Sequence, residues 1–389
     1  MSAIVDVAVV GAGIVGAATA YELSKKGITV VMFEKGAINR AGSGATAGNL
    51  HIQAVHKKRP GQKVALDQVR FLPLQLAASK LWDTVEDDLE TDVEMRRIGG
   101  ITVAETAEDA IEIQSKRKEE EKLGIPGEIL TLGQLREFEP LLGNSIVLAE
   151  YCPLDGYVNP LKITPAWLRA AVRNGVEVFP FTEVIAISSV SECWKLTTKS
   201  GSWLAKNVVF APGPWTTHLM AQIGLDIKMN SVAIQMHLTE RTKPQMRYLI
   251  QHIGQGLSVK QVDAGQILIG GGWPAKHLDL EASSPISLDS VVGNMTLATR
   301  VLPFLGELRL LRVWTGALGA TADEMPIIGP ISGYTGIFLA GGTYSFTFAP
   351  LWAKVLTQLI TEQPLEVDIE GLKPDRLINK LSGFRGFGG

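Results

Sequence analysis

The chain opens on Ile4–Val10, an apolar run rich in β-branched residues, and passes directly into Gly11-Ala12-Gly13-Ile14-Val15-Gly16. Few local patterns restrict a fold so tightly. A buried strand that ends in G-x-G-x-x-G and opens a helix is the first unit of a parallel sheet built to hold a dinucleotide. Gly11 permits the tight turn out of the strand. Gly13 lets the backbone approach a pyrophosphate with no Cβ in the way, and Gly16 lets helix and strand pack closely. The helix predicted over Ile14–Lys25 presents its free N–H groups and partial positive charge to the phosphates. Gly27 suits its end, and Thr29–Phe33 reads as the second buried strand, closing one β-α-β unit. Glu34 follows, 18 positions after Gly16. A carboxylate there accepts hydrogen bonds from the ribose hydroxyls and repels a 2′-phosphate, which argues against NADP. The fingerprint does not by itself choose between NAD and FAD.

Residues 4 to 20 are apolar enough to suggest a signal peptide or membrane span, but Asp6 interrupts the run, no basic segment precedes it, and the glycines are foreign to a signal core. No other stretch is apolar and long enough to span a bilayer. At 389 residues the chain is expected to form two domains. A net charge of −3 carries no sign of a polyanionic partner, so nucleic acid is not expected. Cys152 and Cys193 have no zinc spacing and fit a reducing, cytoplasmic location. His56, His218, His237, His252 and His277 show no metal-ligand spacing, and neither a metal site nor a Ser-His-Asp triad is expected.

Helices are predicted over 66–85, 107–123, 288–304 and 350–361. The run Lys116-Arg117-Lys118-Glu119-Glu120-Glu121 reads as a solvated, self-paired face. Strands are predicted over 177–181, 184–189, 194–198, 207–210 and 336–340, with an antiparallel region over 226–275. Asn39 to Asn49 is small and polar and reads as an ordered glycine-rich loop.

Six elements in fixed order carry a resemblance along nearly the whole chain. They are the β-α-β unit ending Phe33-Glu34-Lys35; Ser43-Gly44-Ala45-Thr46-Ala47-Gly48-Asn49-Leu50; Asp155-Gly156-Tyr157-Val158-Asn159-Pro160; Val208-Val209-Phe210-Ala211-Pro212-Gly213-Pro214-Trp215; Arg312-Val313-Trp314-Thr315-Gly316 continuing to Pro330; and Ala340-Gly341-Gly342-Thr343-Tyr344-Ser345-Phe346. Together they resemble the D-amino-acid oxidase superfamily, in particular its glycine oxidase, sarcosine oxidase β-subunit and opine or D-hydroxyproline dehydrogenase branch. The resemblance implies an α/β chain: a Rossmann-like FAD-binding domain interleaved with a smaller α+β substrate domain built on an antiparallel sheet. Residues 1–85, 150–225 and 311–389 are assigned to the first, and 86–149 and 226–310 to the second. It places FAD against Gly11, Gly13, Ile14, Val15 and Gly16, against Glu34 and Lys35, and along Ser43, Gly44, Ala45, Gly48, Asn49 and Leu50. Val184, Ala211, Gly213, Trp215 and Gly316 complete that set, with Gly342, Thr343, Tyr344, Ser345, Phe346 and Thr347 before the last helix.

Some positions depart from the family pattern. Leu318 stands where the glycine-oxidase branch has the arginine that holds the substrate carboxylate, and Phe346 falls near a position that is often glycine. With no Cys or His beside Gly342, the flavin is expected to be non-covalent. Candidate substrate contacts are His51, Lys260 and its neighbour Gln261, Tyr248 and Tyr344. The resemblance implies oxidation of a C–N bond in a small amino acid or secondary amine, the α-hydrogen passing as hydride to flavin N5. It further implies a flavin subunit that passes electrons to a partner subunit. The alternatives are a 2-hydroxy-acid dehydrogenase using His51 as base, and a self-sufficient oxidase using oxygen. A partner surface is expected to be apolar, with Phe71, Trp82, Phe384 and Phe387 as contributors.

Overall fold

The computed structural model describes residues 4–54 and 71–380. Two eight-stranded sheets organise them. In the first, Ile4–Val10 lies between Val30–Phe33 and Gly201–Phe210, parallel to both, and Ile337–Gly341 extends the row beyond Gly201–Phe210. Register brings Val10 opposite Phe33 and Phe210, and Phe210 opposite Leu339. Four parallel strands therefore end at one level, and the crevice beyond their carboxyl ends is where such sheets bind ligands. The strand alternation sorts the core onto both faces. Val7 and Val9 turn to the helices Ile14–Lys25, Pro160–Arg173 and Ser345–Ile360, while Ala8, Val10, Val31 and Phe33 turn to Trp194, Leu196 and Leu219.

The second sheet runs Leu310–Leu318, Val232–Arg241, Gln266–Gly271, Leu257–Gln261, Leu249–His252, Gly100–Ala104, Leu148–Cys152 and Glu128–Leu130. It is antiparallel except where Leu249–His252 meets Gly100–Ala104. Residues 150–152 and 311–318, grouped above with the cofactor-binding stretches, are thus hydrogen-bonded into the second sheet.

Several expectations are corrected. Lys116 and Glu120 are not solvated: both side chains are fully buried, with Lys116 Nζ 2.9 Å from Glu120 and 2.6 Å from Glu150. The helix Ala107–Lys122 packs this face against Gly100–Ala104 and Leu148–Cys152, so the charges pair under the second sheet. Phe71 and Trp82 are core residues, with Trp82 donating to the Thr347 carbonyl, and offer no partner surface. Phe384 and Phe387 lie outside the described residues. Of the helix expected over 66–85, residues 66–70 lie outside the described residues, and the rest is seen as Leu72–Trp82 followed by Val85–Leu89. The final helix starts at Ser345 rather than Pro350. Proline is a start signal because it lacks the N–H that a first turn leaves unused. Here it sits one turn in, where burial of Phe348, Leu351 and Trp352 offsets the forfeited bond. Among the described residues no helix is long and apolar enough to cross a membrane.

Candidate active site

A cavity of about 950 Å³ lies where the carboxyl ends of the first sheet face the second sheet. On the first-sheet side the wall is mostly backbone. Gly11 has φ +106°, and a Cβ there would stand 2.5 Å from the Ala211 carbonyl oxygen. A Cβ on Gly16 would stand 2.0 Å from the Gly11 carbonyl oxygen, so the turn closes only with glycine at both places. Gly13 lines the cavity, and a Cβ there would meet only the Ser43 hydroxyl, at 3.0 Å. That hydroxyl accepts from the Ile14 amide at 3.0 Å and ties the second glycine-rich loop to the helix N-terminus. Glu34 accepts from the Ala12 amide at 2.9 Å and the Gly36 amide at 3.0 Å, one on each carboxylate oxygen. Each oxygen keeps a lone pair for a ribose hydroxyl. Lys35 stands over the Trp215 ring at 4.4 Å, and Val184, Ala211 and Gly213 line the same end.

The loop that follows is braced from behind. Gly48 has φ +70° and lies so close to Val158 that a Cβ would come within 2.1 Å of its carbonyl oxygen. The Val158 amide donates to the Gly48 carbonyl at 2.9 Å, and Asn49 pairs with Tyr157. Opposite, Gly342 and Tyr344 take positive φ and lead into the N-terminus of Ser345–Ile360, whose unbonded amides belong to the cavity wall. Ile14, Val15, Asn49 and the whole segment 342–347 line the cavity. Gly16, Gly44, Ala45, Leu50 and Gly316 do not. They act by packing: Leu50 is fully buried, Gly44 abuts Asn39, and Gly316 abuts Ala45. A wall with glycine at each close approach, two helix N-termini and a carboxylate at the ribose position fits FAD.

Of the five candidate substrate contacts, two are at the cavity. His51 lines it, with Nε2 3.4 Å from the Asn49 amide nitrogen, and Tyr344 lines it with its ring 5.2 Å from Phe71. Lys260 and Tyr248 are corrected. Lys260 is fully buried behind the loop: Nζ donates to Asn49 Oδ1 at 2.7 Å and to the Ala47 carbonyl, over the Tyr157 ring at 4.4 Å. Burial pushes its pKa well below the usual lysine range. Tyr248 stacks on Phe138 and meets Tyr151 edge-on, both at 5.3 Å, in the second sheet's own core. Gln261 uses its side chain to hold the Gln245 and Met246 amides.

The second sheet contributes Leu318, which the sequence pointed to, and residues that the motifs did not reveal: Ile234, Gln235 and Met236, Gln251 and His252, and Ser258. None of the strand residues it brings to the cavity is Asp, Glu, Lys or Arg. His252 is neutral by geometry: Nδ1 accepts from the Gly254 and Gln255 amides, both at 3.0 Å, leaving Nε2–H for Glu105 at 3.2 Å. Burial lowers its pKa accordingly. Neither cysteine lines the cavity.

A cofactor half of this construction, facing a neutral second sheet, defines an FAD-dependent oxidoreductase. The chain belongs to the DAO family of FAD dependent oxidoreductases, whose model matches residues 6–359. Its relatives include a glycine oxidase of Geobacillus kaustophilus, 27% identical over 97% of this chain and 98% of that one. They also include an opine oxidase subunit of Rhizobium meliloti, 27% identical over 94% of this chain and 95% of that one. Among solved structures, the glycine oxidase from Geobacillus kaustophilus superposes with a TM-score of 0.86 at 26% identity, covering 95% of this chain and 98% of that one. L-proline dehydrogenase from P. horikoshii shares the fold, with a TM-score of 0.87 at 22% identity over 97% of this chain and 98% of that one.

Proposed function

We propose that this enzyme oxidises the C–N bond of a small amino acid or secondary amine of the opine, D-amino acid, hydroxyproline or sarcosine type. The observation that carries the reading is the neutral face of the second sheet in the cavity. A hydride leaves the carbon beside nitrogen only when the nitrogen lone pair is available, so the amine must be unprotonated. A wall with no carboxylate gives an ammonium nothing to pair with and favours the neutral amine. When bound, FAD supplies the two-electron acceptor. The chain's own residues hold and orient: glycine-rich turns and helix N-termini fix the cofactor, Asn49 and Thr347 join the two loops beside it, and the second sheet excludes water. His51 and Tyr344 are the protein's candidates for contact with the substrate. In place of the arginine of the glycine-oxidase branch, Leu318 lines the cavity. A substrate carboxylate would therefore be met by neutral donors.

The same reading assigns residues 1–85, 150–225 and 311–389 mainly to cofactor binding and the rest to covering the substrate, with the strand Leu310–Leu318 shared. It makes the chain one component of a multi-chain dehydrogenase that passes electrons to a partner, a role supported by its likeness to a protein named as a subunit of an opine oxidase. The test is anaerobic mixing of the purified chain with glycine, sarcosine, proline, D-amino acids, opines and 2-hydroxy acids. Bleaching of the flavin with release of ammonia or a free amine is expected. Bleaching by 2-hydroxy acids alone, with a keto acid as the sole product, would overturn the reading in favour of the alcohol-oxidising alternative, in which His51 is the base.

A further inference from the structure

Beneath the second sheet a chain of buried side chains has only one possible polarity. Lys116 is a donor with nothing to accept, and its Nζ donates to Gln53 Oε1 at 2.9 Å. Thr102 donates to the same oxygen at 2.6 Å. The amide nitrogen of Gln53 therefore faces the other way, and donates to Asp155 Oδ2 at 2.8 Å. Asp155 is fully buried; its other oxygen accepts from the Ile52 and Gln53 amides at 2.8 and 3.2 Å. Burial lifts its pKa to about 6, and the three N–H groups already pointed at its two oxygens hold it as an acceptor-only carboxylate at neutral pH.

The fourth donor to Asp155 is Gln251, whose Nε2 lies 3.0 Å from Oδ2. A carboxylate cannot donate, so the Gln251 amide cannot flip. Gln251 is 3% exposed, lines the cavity, and sits opposite Ser258 on the neighbouring strand. Among the described residues no donor meets its Oε1.

We propose that Gln251 is the residue that recognises the substrate nitrogen: its Oε1, held outward by Asp155, accepts an N–H from the amine, and Asp155 is the positioning residue behind it. The proposal rests on the amine-oxidising reading and gives it a specificity element. A carbonyl oxygen rewards an N–H and meets an ether oxygen with lone-pair repulsion, so the site discriminates between isosteres that differ only at that atom.

Pyrrole-2-carboxylate and 2-furoate form such a pair: both are planar, redox-inert carboxylates, and only the first carries N–H. Their binding to the FAD-loaded chain is read from perturbation of the flavin absorbance. The unmodified protein is expected to bind pyrrole-2-carboxylate about tenfold more tightly. In Gln251→Leu the ratio should fall to about one with FAD retained. In Asp155→Asn the partner is no longer acceptor-only, the Gln251 amide is free to turn, and the ratio should fall below about threefold. An undiminished ratio in Gln251→Leu, equal binding of the two probes by the unmodified protein, or binding of neither overturns the proposal. Selectivity for N–H in a protein whose flavin no amine bleaches would sink amine oxidation while leaving Gln251 as an N–H acceptor. Bleaching by amines with equal probe binding would do the reverse.

Discussion

The two walls of the cavity are built from different materials. The first-sheet wall is mostly backbone: Gly11, Gly13 and Gly342 and the amides at the starts of two helices, with the Glu34 carboxylate held by the Ala12 amide. The second-sheet wall is side chains, and what orients them lies behind them in a buried network running from Lys116 through Gln53 and Asp155 to Gln251. A backbone wall recognises what never changes, a pyrophosphate and a fused ring. A side-chain wall can be rewritten one residue at a time without disturbing the cofactor.

Four substitutions break or sharpen this contrast. The largest effect is expected from Gly13→Val, which puts a branched side chain where the backbone would meet the pyrophosphate. The folded protein should purify almost without FAD, measured as flavin per chain by absorbance; full occupancy would remove the pyrophosphate assignment. Lys260→Met acts at the seam between the walls, leaving Asn49 Oδ1 and the Ala47 carbonyl without their donor. Leaving two buried acceptors without a donor costs about 1–3 kcal/mol, so FAD should dissociate roughly 5- to 150-fold more readily by equilibrium dialysis. An unchanged affinity would mean that Lys260 does not hold the loop. Leu318→Arg changes the second wall alone. It should keep its FAD and bind 2-furoate about tenfold more tightly through a charge-assisted bond; loss of flavin instead would show that the walls are not separable.

The smallest effect concerns pH. Burial raises Glu150 from 4.5 to about 8, with Lys116 and Glu120 beside it. A carboxyl whose folded pKa is raised by burial costs stability progressively as pH rises through and above the usual glutamate range. Glu150→Gln keeps the hydrogen bonding and removes the titration. Its Tm should decline less between about pH 6 and pH 9 than that of the unmodified chain, by scanning calorimetry. Parallel curves would mean that Glu150 is ionised in the fold.

The contrast also explains which parts were legible in the sequence. The strand Ile4–Val10, the helix after it and Glu34 announce themselves because each glycine answers a local steric demand. The loop at 43–50 and the segment 342–347 are short and local too, and their placement follows from resemblance. The second wall is not local. Gln251 faces the cavity because Asp155, 96 residues earlier, holds its nitrogen, and Asp155 can be ionised there because Gln53, Gln251 and two backbone amides converge on it. Nothing in the neighbourhood of either residue signals this. Lys260 misled for the opposite reason. Period-two alternation puts it on the same side of its strand as the cavity-lining Ser258, which invites a ligand role. Its Nζ is taken up by Asn49 and Ala47, and those two residues line the cavity in its place. The charge run at 116–121 misled as well, because pairing across to Glu150 is invisible within one helix.

The central claim is that the neutral second wall selects an unprotonated amine beside FAD. Its most direct test is stopped-flow reduction of the bound flavin, without oxygen, by the amine that bleaches it best, followed as a function of pH at sub-saturating substrate. The account predicts that the second-order rate constant rises about tenfold per pH unit while the amine is still mostly protonated, and levels off near the amine's own pKa. A rate constant that stays flat through that range would contradict it.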